Sequence, residues 1–148
     1  MIKFREFRAG NQEASAKPPT AEAASKRVLI VDDDPVFLQA TAAKLQSAGF
    51  RVKTASEASQ AIAALGEQPA DAILLDIEFP PDVYKSWDGF QLMTWLRGDP
   101  AADGARFIMV SNSGSQSYRE RAAKLGAVAY LQKPVDPSRL FAVVKGEN

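Results

Sequence analysis

From Arg27 onward, short unbroken apolar runs alternate with longer stretches in which apolar residues recur at helical spacing. Val28-Leu29-Ile30-Val31, Ala72-Ile73-Leu74-Leu75, Phe107-Ile108-Met109-Val110 and Val128-Ala129-Tyr130-Leu131 show no polar alternation. Runs this short and this apolar predict strands buried on both faces of a parallel sheet. Arg51 to Thr54 is a shorter strand, second in chain order. The stretch from Pro35 to Ala48 carries Val36, Phe37, Leu38, Ala42 and Leu45 at helical spacing, and Gly49 stops it. Ser56 is the expected cap of a helix running through Leu65, with Gly66 ending it. A third helix spans Gly89 to Arg97 with Phe90, Leu92, Met93, Trp95 and Leu96, and Asp99-Pro100 reads as a loop. A fourth covers Gln116 to Leu125, and Asp136-Pro137 supplies the cap and first-turn proline of a last one reaching Val144. Five strand-then-helix units predict an α/β domain, a five-stranded parallel sheet with right-handed crossovers and helices on both faces.

Residues 1–26 do not share this pattern. They are rich in Ala, Glu, Ser, Lys, Gln and Pro, and are expected to form a largely flexible N-terminal extension ahead of a domain at 27–148. The opening Met1 to Arg8, with Ile2, Phe4 and Phe7, fits either a frayed tail or a docking segment. Acidic and basic residues balance at 18 each, which gives no reason to expect nucleic acid or an anionic membrane as a partner. No run is long enough to span a bilayer and no secretory signal is recognisable, so a cytoplasmic location is expected. The absence of cysteine and histidine removes disulfides, thiolate zinc sites and the usual general base. Chemistry therefore falls to carboxylates, lysine, hydroxyls or a metal held by oxygen.

A parallel sheet brings the carboxyl ends of its strands to one edge, where ligands bind in open α/β folds. That places Asp32-Asp33-Asp34, Asp76, Ser111 and Lys133 together. Several carboxylates so close cannot all stay ionised without a cation. Oxygen ligands around an open position favour Mg²⁺, and an aspartate beside it can act as a nucleophile toward phosphorus. A phosphoryl group on Asp76 would bring about two negative charges, offset by the metal and by Lys133, with Ser111 donating a hydrogen bond.

These residues resemble the receiver domains of two-component response regulators. Val31-Asp32-Asp33-Asp34-Pro35 is similar to the family's acidic pair after the first strand, and Leu74-Leu75-Asp76 to its phosphorylation site. Val110-Ser111 is similar to its switch hydroxyl and Lys133-Pro134 to its lysine-proline pair. The resemblance implies a flavodoxin-like strand order of 2-1-3-4-5. It also implies Mg²⁺ held by Asp33, Asp76 and the backbone carbonyl of Glu78, with Asp32 acting mainly through a water, and Tyr130 as the aromatic switch residue. It further implies a sensor histidine kinase or histidine phosphotransfer protein as phosphoryl donor. The target would be a protein partner or a second copy of the chain, docking on the face of helix four, strand five and helix five, where Arg119, Arg121, Lys124, Arg139 and Lys145 outnumber Glu120. No output motif is recognisable after Val144, so output is expected through protein contacts or the N-terminal arm.

Three departures from the family pattern stand out. The Pro80 to Trp87 stretch lengthens the connection from Asp76 to Asp88-Gly89 and brings Tyr84 and Trp87, Asn112 replaces a smaller residue, and Glu78 adds a carboxylate. Two other functions stay open on sequence grounds. One is a degenerate receiver that only binds partners. The other is an aspartyl-phosphate phosphatase or mutase using Glu78 as acid and base. The expectation is a phosphoacceptor module with at most intrinsic autophosphorylation and autodephosphorylation activity.

Overall fold

The computed structural model describes residues 26–78 and 87–146. Readings made for residues 1–25, for 79–86 and for 147–148 lie outside the described residues. Within them the chain alternates strand and helix: β1 (Arg27–Val31), α1 (Pro35–Ser47), β2 (Arg51–Ala55), α2 (Ala58–Glu67), β3 (Ala72–Asp76), α3 (Gly89–Leu96), β4 (Arg106–Ser111), α4 (Gln116–Leu125), β5 (Ala129–Gln132) and α5 (Pro137–Lys145). All strand pairs are parallel and the sheet order is β2-β1-β3-β4-β5, the order the resemblance implies.

Because side chains alternate across a strand, each buried strand feeds two cores. Leu29, Val31, Ile73, Leu75, Phe107 and Met109 face one way and pack with residues of α2, α3 and α4, among them Leu65, Phe90 and Met93. Val28, Ile30, Leu74, Ile108, Val110 and Leu131 face the other way and meet Leu45 of α1 and Leu140, Val143 and Val144 of α5. All five residues of β3 are buried, as a strand central to the sheet must be.

Several expectations are corrected at element ends, where local signals compete. Glu57, not Ser56, is the N-cap residue of α2, and it makes no side-chain cap hydrogen bond. Ser56 instead directs both its N–H and its hydroxyl to the Gln60 side chain, at 2.8 and 2.9 Å. Gly66 lies inside that helix rather than after it. Val36, one of the apolar residues at helical spacing in α1, is 73% exposed, and Leu45 is the one that is fully buried. Pro100–Ala102 forms a 3₁₀ turn, capped by Asp99, where a loop was expected. Trp95 is 41% exposed, and its ring lies against that of Trp87, with centroids 6.1 Å apart. Trp87 thus packs on its own domain.

The entry to α3 is fixed from two sides. Asp88 accepts from the Gln91 N–H at 2.9 Å and the Gln91 side chain accepts from the Asp88 N–H, a complete capping box. The Gly89 N–H donates to the Ile77 carbonyl at 2.9 Å, and a Cβ on Gly89 would sit 2.2 Å from the Asp76 carbonyl oxygen. Only glycine allows that approach. Gly89→Ala is therefore expected to lower unfolding free energy by about 2–3 kcal/mol. Gly66→Ala, where nothing lies within 4 Å, should raise it by about 0.5–1 kcal/mol. Urea midpoints of the two variants, moving in opposite directions, are the measurement.

Candidate functional site

Register carries the predicted residues to one level. Val31 pairs with Leu75, Asp76 with Val110 and Ser111 with Gln132, so Asp32, Asp76, Ser111 and Lys133 all lie at the carboxyl edge of the sheet. Asp32 follows β1 directly and its N–H donates to the Ala55 carbonyl at 3.0 Å, which holds that edge in register with β2. The Lys133 N–H donates to the Ser111 carbonyl at 2.8 Å, which holds the lysine beside β4.

Lys133 is the shared cation. Its ammonium donates to Asp32 Oδ2 at 2.7 Å and lies 3.7 Å from Asp76 Oδ1. The Phe37 ring beneath it, 4.5 Å away, adds a cation–π contact. Burial works against the lysine's charge, but the Asp32 hydrogen bond and the Asp76, Asp32 and Asp34 charges outweigh it and raise its pKa. Asp32 and Asp76 are almost fully buried. Burial raises the Asp32 pKa against the pull of Lys133 and of the Asp34 N–H, which donates to Asp32 Oδ1 at 2.9 Å. The third acid of the triplet, Asp34, is spent on capping α1: its carboxylate accepts from the Val36 N–H at 2.9 Å.

Asp76 is the group left wanting. Its Oδ1 is buried with no hydrogen-bond partner. Burial first, then the Asp32 charge, push its carboxyl up to about 7, with Glu78 and Asp33 adding to the rise and Lys133 opposing it. Carboxylate oxygens of Asp32, Asp33 and Asp76 lie within 4.8 Å of one another, and Asp33 is exposed. An unsatisfied buried oxygen, a second buried acid and a solvent-facing third acid fit a hard divalent cation that keeps part of its water shell.

The hydroxyl side is arranged differently from expectation. Ser111 donates to Glu78 Oε2 at 2.6 Å and accepts from the Ser113 N–H at 2.9 Å, while the Ser113 carbonyl accepts from the Tyr130 hydroxyl at 2.7 Å. Tyr130 is buried, and the Arg119 guanidinium lies over its ring at 4.6 Å. The sequence marked Ser111, Tyr130 and the Glu78 backbone but missed the pairing of the Glu78 side chain with Ser111. It also missed Phe37 under the lysine and the contact of Gly89 with the Asp76 backbone. Of these, only Asp88-Gly89 carried a local signal, as a cap next to glycine.

A family model for the response regulator receiver domain matches residues 28–145. The chain belongs to that family. Among curated relatives of this receiver, the transcriptional regulatory protein GltR of Pseudomonas aeruginosa is 32% identical over 81% of the chain, which spans only 48% of GltR. Protein PilH of the same organism is 29% identical over 80% of the chain and is 93% covered. The crystal structure of a CheY-like receiver domain protein from Methanospirillum hungatei matches 81% of this chain and 90% of its own with a TM-score of 0.71 at 31% identity. The receiver thus spans about half the length of GltR and most of the length of PilH. Among the described residues no helix is long and apolar enough to cross a membrane.

The raised pKa of Asp76 has a consequence for stability. Its folded value of about 7 lies above the ordinary 3.8, so the native state holds the proton longer than the unfolded chain does. Stability therefore falls as pH rises between those two values. Asp76→Asn lacks this penalty. In EDTA at pH 8 it should be more stable than wild type by on the order of 2–4 kcal/mol, with the gap narrowing at pH 5 and on adding Mg²⁺. Urea unfolding under the three conditions measures this, and equal gaps throughout would contradict the assignment.

Proposed function

We propose that the receiver accepts a phosphoryl group on Asp76 from the phosphohistidine of a histidine kinase or phosphotransfer protein and changes its surface in response. The observation that supports this most directly is the buried, unpartnered Oδ1 of Asp76 beside Lys133. One Asp76 oxygen forms the new P–O bond as the P–N bond to the donor imidazole breaks, so the chain needs an ionised nucleophile and charge compensation, not a general base. Asp32, Asp33, Asp76 and the Glu78 backbone carbonyl would hold Mg²⁺, which when bound offsets charge on both the carboxylates and the phosphoryl oxygens. Lys133, already drawn 3.7 Å from Asp76, neutralises the charge that arrives there. Ser111 is the neighbouring donor, and Tyr130 is tied to it through Ser113.

The response surface is the face of α4, β5 and α5. Arg119, Tyr130, Gln132, Asp136 and Arg139 line one groove there, a setting for an acidic segment of a protein partner or of a second copy. Arg121 belongs elsewhere, since its guanidinium lies over the Phe90 ring of α3 at 4.3 Å. Nucleic acid is not the partner this balanced charge suits. A cytoplasmic setting is part of this reading. The degenerate-receiver reading is not favoured, because every acid and the lysine are assembled. Neither is an aspartyl-phosphate enzyme, because the Glu78 carboxylate is turned to Ser111 rather than free to act as acid and base.

Incubation with acetyl phosphate and Mg²⁺ should add one phosphoryl mass, mapped by peptide mass spectrometry to Asp76 and lost in alkali. Asp76→Asn should abolish it. Asp33→Ala should weaken Mg²⁺ binding at least tenfold, as loss of a charged oxygen ligand. A stable phosphoryl group elsewhere in wild type, or unchanged metal affinity, would remove the respective assignment.

A further inference from the structure

We infer that Glu78 is an internal anion that holds the Ser111 hydroxyl in the unphosphorylated protein, and that a phosphoryl group on Asp76 must displace it to use that hydroxyl. This rests on the phosphoacceptor reading of Asp76 and deepens it. A serine hydroxyl carries one proton and so donates one hydrogen bond. Ser111 commits that proton to Glu78 Oε2 at 2.6 Å, a short, charge-assisted contact. The other carboxylate oxygen receives the Asn112 N–H, at a longer 3.4 Å. Ser111 and Asn112 are the hydroxyl and the next backbone donor beyond the end of β4, on the strand adjacent to the one that ends in Asp76. Glu78 therefore stands on donors that a phosphoryl group on Asp76 would claim.

The chain of contacts does not stop there. With its proton fixed on Glu78, the Ser111 oxygen accepts from the Ser113 N–H, and the Ser113 carbonyl accepts from the Tyr130 hydroxyl, at 2.9 and 2.7 Å. The 111–113 segment and the inward Tyr130 ring are thus held while an anion of the chain, rather than a bound phosphoryl group, sits at Ser111. Glu78 is exposed at the surface, so it can swing into water at small cost once a competitor arrives. It acts as a positioning residue through Ser111, keeping the hydroxyl and the 111–113 segment in place until a phosphoryl group competes for the same donor.

Beryllofluoride, which binds an aspartate as a phosphoryl mimic, provides the test on the full Mg²⁺-loaded chain. Glu78→Ala should bind it about three- to tenfold more tightly than wild type, the effect of freeing one hydrogen bond. Amides 111–115 of the free variant should exchange faster than in wild type and recover on beryllofluoride addition. Glu78→Gln, uncharged but still an acceptor, should fall between. The affinity gain should vanish when Ser111→Ala is the background, since the cycle isolates the Glu78–Ser111 coupling. Equal affinities of wild type and Glu78→Ala, or a gain that survives intact without Ser111, would overturn the inference while leaving Asp76 as the acceptor. Failure of every variant to bind beryllofluoride and to gain phosphate from acetyl phosphate would overturn both.

Discussion

The carboxyl edge of the sheet gathers more negative charge than it can neutralise. Asp32 and Asp76 are buried, Asp33 stands beside them, and Lys133 is the cation held among them. Lys133 makes its shorter contact with Asp32 and its longer one with Asp76. That division satisfies one acid and leaves the other poised. Asp32 thus holds the ammonium at hydrogen-bond distance while Asp76 Oδ1 keeps no hydrogen-bond partner. The site is kept slightly wrong by its neighbours, as functional sites are when an external charge is meant to complete them.

The rest of the fold serves to keep that imbalance in place. The fully buried β3 cannot shift register without carrying Ile73 and Leu75 into the layer occupied by Ala72 and Leu74, so Asp76 is located by the cores on both faces. The charged edge and the two cores are therefore parts of one constraint. On the β4 side the ladder ends at Ser111, and the residues just beyond it are tied by side-chain hydrogen bonds of serines, Ser113 N–H to Ser111 and Ser115 N–H to Ser113.

Helix order and the positions of Asp76, Ser111 and Lys133 were legible in the sequence because they follow from periodicity and from where apolar runs stop, whereas the sheet order was implied by the family resemblance. Those signals are set by burial, which is a property of whole segments. The misses share a different origin. Whether Ser56 or Glu57 begins α2 depends on a Gln60 side chain competing for the serine. That Arg121 leaves the α4–β5–α5 face depends on the Phe90 ring being within reach. The Glu78–Ser111 pair joins residues thirty-three positions apart, one just beyond β3 and the other at the end of β4. Each is a choice between partners of similar strength, decided by tertiary placement and not encoded in local pattern.

The connection between β3 and α3 is anchored at both of its described ends. Ile77 donates to the Val110 carbonyl at 3.0 Å, and its own carbonyl receives the Gly89 N–H at 2.9 Å. The span between departure and return is therefore set by the core, whatever the number of residues that bridge it. Doubling the length of a flexible bridge between fixed posts costs only about 0.6 kcal/mol. This makes the connection tolerant of exchange, because sequence between the two anchors can be replaced without moving the Asp76 carboxylate that the anchors hold in register.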